Sequence, residues 1–205
     1  MLKIEEFSLS RENTKFMLIN EMTIGSGMRV NIFGNNDTGK SLFLKSIHGD
    51  HHDFDGQIFI KDKPLLFYKK KKKTIFLDNT PHLLINESVW KNIIIPLPKV
   101  TVRQKQNILK LCMISQLGNK IGSKVKNLSF SSKKFIELIR AVIQLPQIIL
   151  IDDFENYFDD KNIIKAFEIC NFALNSGTSL IVTSKRKLDN FDTHYRIQDN
   201  KMVKL

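Results

Sequence analysis

Eight residues constrain this chain more than any others: Gly34-Asn35-Asn36-Asp37-Thr38-Gly39-Lys40-Ser41 satisfies G-x-x-x-x-G-K-[ST]. The run lies between an apolar segment, RVNIF, and a helical one, SLFLKS, the strand–loop–helix context such a motif requires. Glycines let the main chain approach a polyphosphate closely, and the N–H groups of the loop and of the helix start then point at it. Lys40 is expected to reach the β/γ-phosphates, and the Ser41 hydroxyl to hold Mg²⁺. Such a loop needs a carboxylate at the end of a neighbouring buried strand. Ile148-Ile149-Leu150-Ile151-Asp152-Asp153 supplies two. Asp152 takes the Mg²⁺-linked role, and Asp153 stands where a base or water-orienting group belongs.

Around these motifs, strand and helix patterns alternate. LKIEEFSLS, KFMLINEMTI and MRVNIFG read as strands, the helix after the loop stops at Gly49, and GQIFIKDKPLLFY reads as a hairpin turning at Asp62-Lys63-Pro64. KKTIFLD, QIILIDD and TSLIVTS are further strands, the last two apolar enough to be buried on both faces. SVWKNIII, VRQKQNILKLCMISQL, SSKKFIELIRAVIQ and KNIIKAFEICNFALN have helical spacing, and YRIQDNKMVKL reads as a final hairpin. The expected fold is α/β, a mostly parallel sheet flanked by helices, with antiparallel strands at the N-terminus. A single domain over 1–205 is expected, with its core in 1–78 and 133–205 and a small α-helical subdomain over about 79–132.

No apolar run approaches the roughly 20 residues of a membrane helix, and acids interrupt the first segment where a signal peptide would be apolar. The chain is therefore expected in the cytoplasm, reaching a membrane only through a partner or its charge. The formal charge is +11. Lys69 to Lys73 reads first as a solvated turn, then as a contact for anionic lipid headgroups. Specific nucleic-acid binding is not expected, because the interleaved aromatics of single-strand binders are missing. Cys112 and Cys170 lack metal-ligand spacing and read as reduced core residues, and His48, His51 and His52 as a solvated loop.

Between the two motifs, Leu128-Ser129-Phe130-Ser131-Ser132 is followed by Lys133-Lys134, Arg140-Ala141-Val142 and Pro146, then the acidic strand. This order resembles the ABC ATPase pattern of LSGGQ, QR, ARA, a proline and Walker B. Asp159 falls where the family has its D-loop aspartate, and IFLDNTPHLLINESVWKNIIIPL resembles the Q-loop region. The resemblance covers nearly the whole chain and implies a P-loop NTPase of ABC type, binding ATP and Mg²⁺ through Gly34 to Leu42, with Ser129 directed at the nucleotide of a second subunit. The short build and V-W-K-N-I-I-I-P-L are similar to the FtsE and LolD types, which implies a membrane permease of the FtsX or LolC kind as partner and a peripheral position on the inner face of the membrane. The length equally suits the haem-export type, CcmA.

Several positions depart from the family pattern. Leu77 stands at the expected Q-loop glutamine, Phe130 and Ser131 at the signature glycines, Asp153 at the catalytic glutamate and Ser184 at the switch histidine. Asp37 replaces a loop glycine and Leu42 a hydroxyl, and Arg11 or Phe7 lies nearest the adenine-stacking aromatic. Groups that hold phosphate and metal are kept, while those that place water are changed. Binding with weak hydrolysis is the expectation, since each placed group is typically worth about a hundredfold in rate. Base and signature are altered in the same chain, so pairing with an intact subunit would damage both sites; a homodimer is expected.

Overall fold

Alternating burial organises the first strands of the computed structural model, which describes residues 1–12, 14–65, 74–158 and 160–205. Strand β1 (Leu2–Arg11) pairs antiparallel with β2 (Thr14–Ile24) on one side and with β4 (Asp55–Ile60) on the other. Leu2, Ile4, Phe7 and Leu9 turn inward from β1, and Met17, Ile19, Met22 and Ile24 from β2. The short β5 (Lys63–Pro64) closes a hairpin onto β4, with Lys61 and Asp62 at positive φ as its two turn residues. The turn thus comes one step earlier than the sequence suggested, and Lys63 and Pro64 pair with the neighbouring strand. Pro64 can do so because β5 is the outermost strand.

The remaining strands are β3 (Arg29–Phe33), β6 (Thr74–Leu77), β7 (Ile148–Ile151), β8 (Ser179–Ser184), β9 (Thr193–Gln198) and β10 (Lys201–Lys204). All ten form one mixed sheet in the order β5-β4-β1-β2-β10-β9-β3-β8-β7-β6. From β9 to β6 the neighbours are parallel; from β5 to β2 they are antiparallel. Strand β10 joins the halves, antiparallel to β9 and parallel to β2 through Lys201 and Leu18.

The helices are α1 (Lys40–His48), α2 (Val89–Ile94), α3 (Val102–Ile114), α4 (Phe130–Val142), α5 (Phe154–Tyr157) and α6 (Asp160–Leu174). Gly49 ends α1 at φ 89, the left-handed conformation that suits glycine. A capping box starts α3, in which Thr101 and Gln104 satisfy each other's backbone N–H groups.

Two apolar clusters flank the sheet. Helices α2, α3, α4 and α6 pack on one face, and α1 with the curled antiparallel strands packs on the other. Strand β7 serves both: Ile149 and Ile151 face the first cluster, Ile148 and Leu150 the second. Cys112 and Cys170 are buried in the first, and burial pushes both thiols up to about 12, so neither carries an accessible thiolate. No helix among the described residues is long and apolar enough to cross a membrane.

Candidate functional site

The loop after β3 begins and ends on glycine because its neighbours leave little room for a Cβ at those two positions. A Cβ on Gly34 would lie 3.0 Å from the Ile197 carbonyl oxygen, and one on Gly39 would lie 2.7 Å from the Phe16 ring. Gly39 also holds φ 87, and Asp37 holds φ 61. Asp is among the few non-glycine residues that enter this region at modest cost, which explains how Asp37 can occupy a turn otherwise suited to glycine. Thr38 Oγ1 donates to the Asn35 carbonyl at 2.9 Å.

Lys40 begins α1 and folds back over the loop, Nζ donating to the carbonyls of Gly34 at 2.8 Å and Asn35 at 2.5 Å. Burial lowers the pKa of this ammonium, while Asp153 and Asp152 pull against the shift. Asp152, at the end of β7, accepts the Thr183 hydroxyl at 2.5 Å, and the same hydroxyl oxygen accepts the Asp153 N–H at 2.8 Å. Asp153 sits at φ 54, and its carboxylate accepts from Asn156 Nδ2 at 2.6 Å.

These groups share a cleft of about 980 Å³. Of the expected residues, Asn36, Asp37, Gly39, Lys40, Ser41, Leu42, Asp152 and Asp153 line it. Gly34, Asn35 and Thr38 line a groove on the loop's other side. Ser184 does not line the cleft. It is fully buried, accepts from Asn31 Nδ2 at 2.8 Å and donates to the Arg186 carbonyl at 2.5 Å. Its neighbour Thr183 has the opposite strand parity and forms the cleft wall.

Two expectations are corrected. Leu77 is buried in the helical cluster, and its backbone carbonyl accepts from the Asp152 N–H at 2.9 Å. The polar residue of this segment that lines the cleft is Asn79. Phe7 is a core residue, its ring 5.2 Å from Phe43 and 5.1 Å from Phe54. The aromatic at the cleft is Phe16, which joins Arg11 there. Register on β2 passes from Leu9↔Met17 to Ser10↔Lys15, so Phe16 is the extra residue of a bulge that turns its ring onto Gly39. No repeating pattern in the sequence marks that bulge.

Ser129 lies outside this chain's cleft, at the start of α4, where its oxygen accepts the Ser132 N–H at 3.3 Å. Beside it Phe130 is 56% exposed, with Lys134 Nζ 4.8 Å from its ring centre. One turn on, Glu137 accepts the His82 N–H at 2.9 Å and Arg140 donates to the His82 carbonyl at 2.6 Å, clamping the segment after β6 to α4. Asp159 and Lys69 to Lys73 lie outside the described residues.

An ammonium able to leave backbone carbonyls, an exposed hydroxyl at the start of α1 and a strand-end carboxylate form a donor set suited to a polyphosphate with a hard divalent cation. A protein-family model described as ABC transporter matches residues 19–156. An uncharacterised ABC transporter ATP-binding protein of Bacillus subtilis, YybJ, is 27% identical over 194 residues, covering 91% of this chain and 87% of that protein. A solved structure of a putative ABC transporter ATP-binding protein from Pyrococcus furiosus superposes with a TM-score of 0.81 at 23% identity, covering 95% and 96% of the two chains. CbiO1 from Clostridium perfringens, described as part of the ABC transporter complex CbiONQ, gives a TM-score of 0.81 at 16% identity, covering 98% and 86%.

Proposed function

The chain belongs to the ABC transporter family as an ATP-binding domain, and from that premise we propose that it is the ATP-binding subunit of a membrane complex of the FtsE or LolD kind, one that binds ATP·Mg²⁺ well and hydrolyses it slowly. The observation that carries the reading is the gathering of Lys40, Ser41 and Asp152 in one cleft. Lys40 would exchange the Gly34 and Asn35 carbonyls for phosphate oxygens, and Ser41 and Asp152 would hold the metal. Mg²⁺ bound there supplies charge neutralisation at the β- and γ-phosphates. Asp153 is one methylene shorter than a glutamate and is engaged by Asn156, and Ser184 is bonded away from the cleft. Both features support slow turnover. Partnership with a permease of the FtsX or LolC kind, assembly as a homodimer and a position at the inner membrane face belong to the same proposal.

Titration calorimetry with ATP·Mg²⁺ tests it. Lys40→Ala removes a charge-assisted contact and should weaken binding by about 2–3 kcal/mol. Equal binding by both proteins, or none by the native chain, refutes the site. Steady-state hydrolysis should be slow and should rise in Asp153→Glu, because a misplacement of about 1 Å can cost a hundredfold. Brisk turnover in the native chain refutes the second half.

A second reading, a nucleotide-binding scaffold that never turns over, is favoured by the exposed bulk of Phe130 at the head of α4. Hydrolysis that stays at background with the membrane partner present selects it. For the homodimer, a disulfide between Ser129→Cys in one subunit and Asn36→Cys in the other, formed only with ATP·Mg²⁺, is the expected result. Native mass showing one copy beside a different ATPase refutes it.

A further inference from the structure

Behind the phosphate loop, on the side away from the cleft, lies a separate groove of about 390 Å³. Its walls are Asn35 and Thr38 of the loop, Lys185 and Lys187 just after β8, and Arg196 of β9. All three cations are exposed, and none makes an ion pair or side-chain hydrogen bond with any described residue. Arg186, between the lysines, differs: Glu155 engages it at 3.5 Å and also accepts the Lys185 N–H at 2.7 Å. That carboxylate holds the backbone of the segment, while no carboxylate among the described residues pairs with the neighbouring lysines. Among the described residues, Asp199 is the one acid in the wall, against four basic residues.

Like charges gathered this closely repel one another, and nothing in the wall offsets the repulsion in full. A bound anion would. The volume is at the lower end of the roughly 300–1,000 Å³ typical of small-ligand sites, too small for a folded partner. Two ammonium groups and a guanidinium fork carry three positive charges, which a multiply charged phosphate balances and a single carboxylate does not.

We propose that this groove, between the outer face of the phosphate loop and the Lys185, Lys187 and Arg196 side chains, is a second anion site that takes a multiply charged phosphate group. It shares Asn35 and Thr38 with the phosphate loop but uses neither Lys40 nor Ser41 nor Asp152, so the two sites can be tested apart. A soluble polyphosphate and a lipid headgroup both carry such a phosphate, and the chemistry of the groove is the same for both.

The full chain carrying Lys40→Ala, which cripples the cleft, is titrated with inorganic tripolyphosphate. The same protein carrying Lys187→Ala and Arg196→Ala should bind at least roughly tenfold more weakly, the loss of a charge-assisted contact or more. A control with Lys124→Ala and Lys126→Ala, exposed on another surface, should bind as before. Equal binding with and without Lys187 and Arg196 overturns the proposal, and so does an equal loss in the control. Thermal melts of each variant verify folding, and Lys187→Arg with Arg196→Lys, which keeps both charges, should retain most of the affinity. Sedimentation with phosphatidic acid vesicles against phosphatidylcholine vesicles separates the sources. Capture by the former that tripolyphosphate displaces and the double alanine variant lacks identifies a headgroup, whereas tripolyphosphate binding without capture identifies a soluble ligand. Binding of neither probe overturns the site.

Discussion

Lys134 carries its amine into an almost fully enclosed position on α4, roofed by the Phe130 ring. Burial holds its pKa down at about 8, against the pull of Glu137, Asp78 and Asp153. In the unfolded chain the amine keeps its proton to about pH 10.5. Below about pH 8 both states are protonated, and the native state bears the full cost of the enclosed charge. Between about pH 8 and 10.5 the unfolded state binds more protons, so stability should rise with pH, by at most about 3 kcal/mol. Denaturant melts should show that alkaline rise in the native protein and its loss in Lys134→Met; identical profiles would refute the assignment. Single positions were also where the sequence misled. Strand parity decides whether Thr183 or Ser184 faces the cleft, and the bonding of Thr183 to Asp152 resolves it. The register after β6 is a loop matter, so Asn79 could not be told from Leu77 by alternation, while the bulge that presents Phe16 rests on packing against Gly39.

Elements were more legible than residues because their signals are short-range. Gly49 stops α1, and the all-apolar stretch of β7 is buried on both faces as its composition demands. The β4–β5 hairpin slipped because Lys61 and Asp62 take positive φ without a glycine to announce the turn. Helix α4 shows how one side chain can answer to two scales. The family resemblance directs Ser129 at a nucleotide on another subunit, yet within this chain it caps α4, also donating to Ser132 Oγ at 3.0 Å. Ser129→Ala should therefore cost about 1 kcal/mol of stability in the isolated chain with no nucleotide present. Ser129→Asp, which can still cap, should recover most of it. A melt unchanged in Ser129→Ala would show that the cap contributes nothing.

Across the whole molecule, α/β alternation foretold the parallel half of the sheet, but nothing local foretold that β10 would bridge it to β2 through a single pairing at Leu18. Strand β3, which carries the phosphate loop, runs between β8 and β9, with Phe33 opposite Ser184 on one side and Arg196 on the other. A chain cut after Asp192 loses β9 and β10 and leaves one edge of β3 unpaired. It should lose any ATP-dependent thermal stabilisation, and it should aggregate through the bared edge; light scattering and a thermal shift assay with ATP·Mg²⁺ would check both. The same arrangement sets a timetable for the molecule's birth. On a ribosome making about 5–20 residues per second, the phosphate loop emerges early and then waits, on the order of ten seconds or more, for the strands that will flank it. Until β9 and β10 have been made, β3 lacks one of its two flanking strands, so the loop's final shape and its grip on nucleotide should follow their arrival.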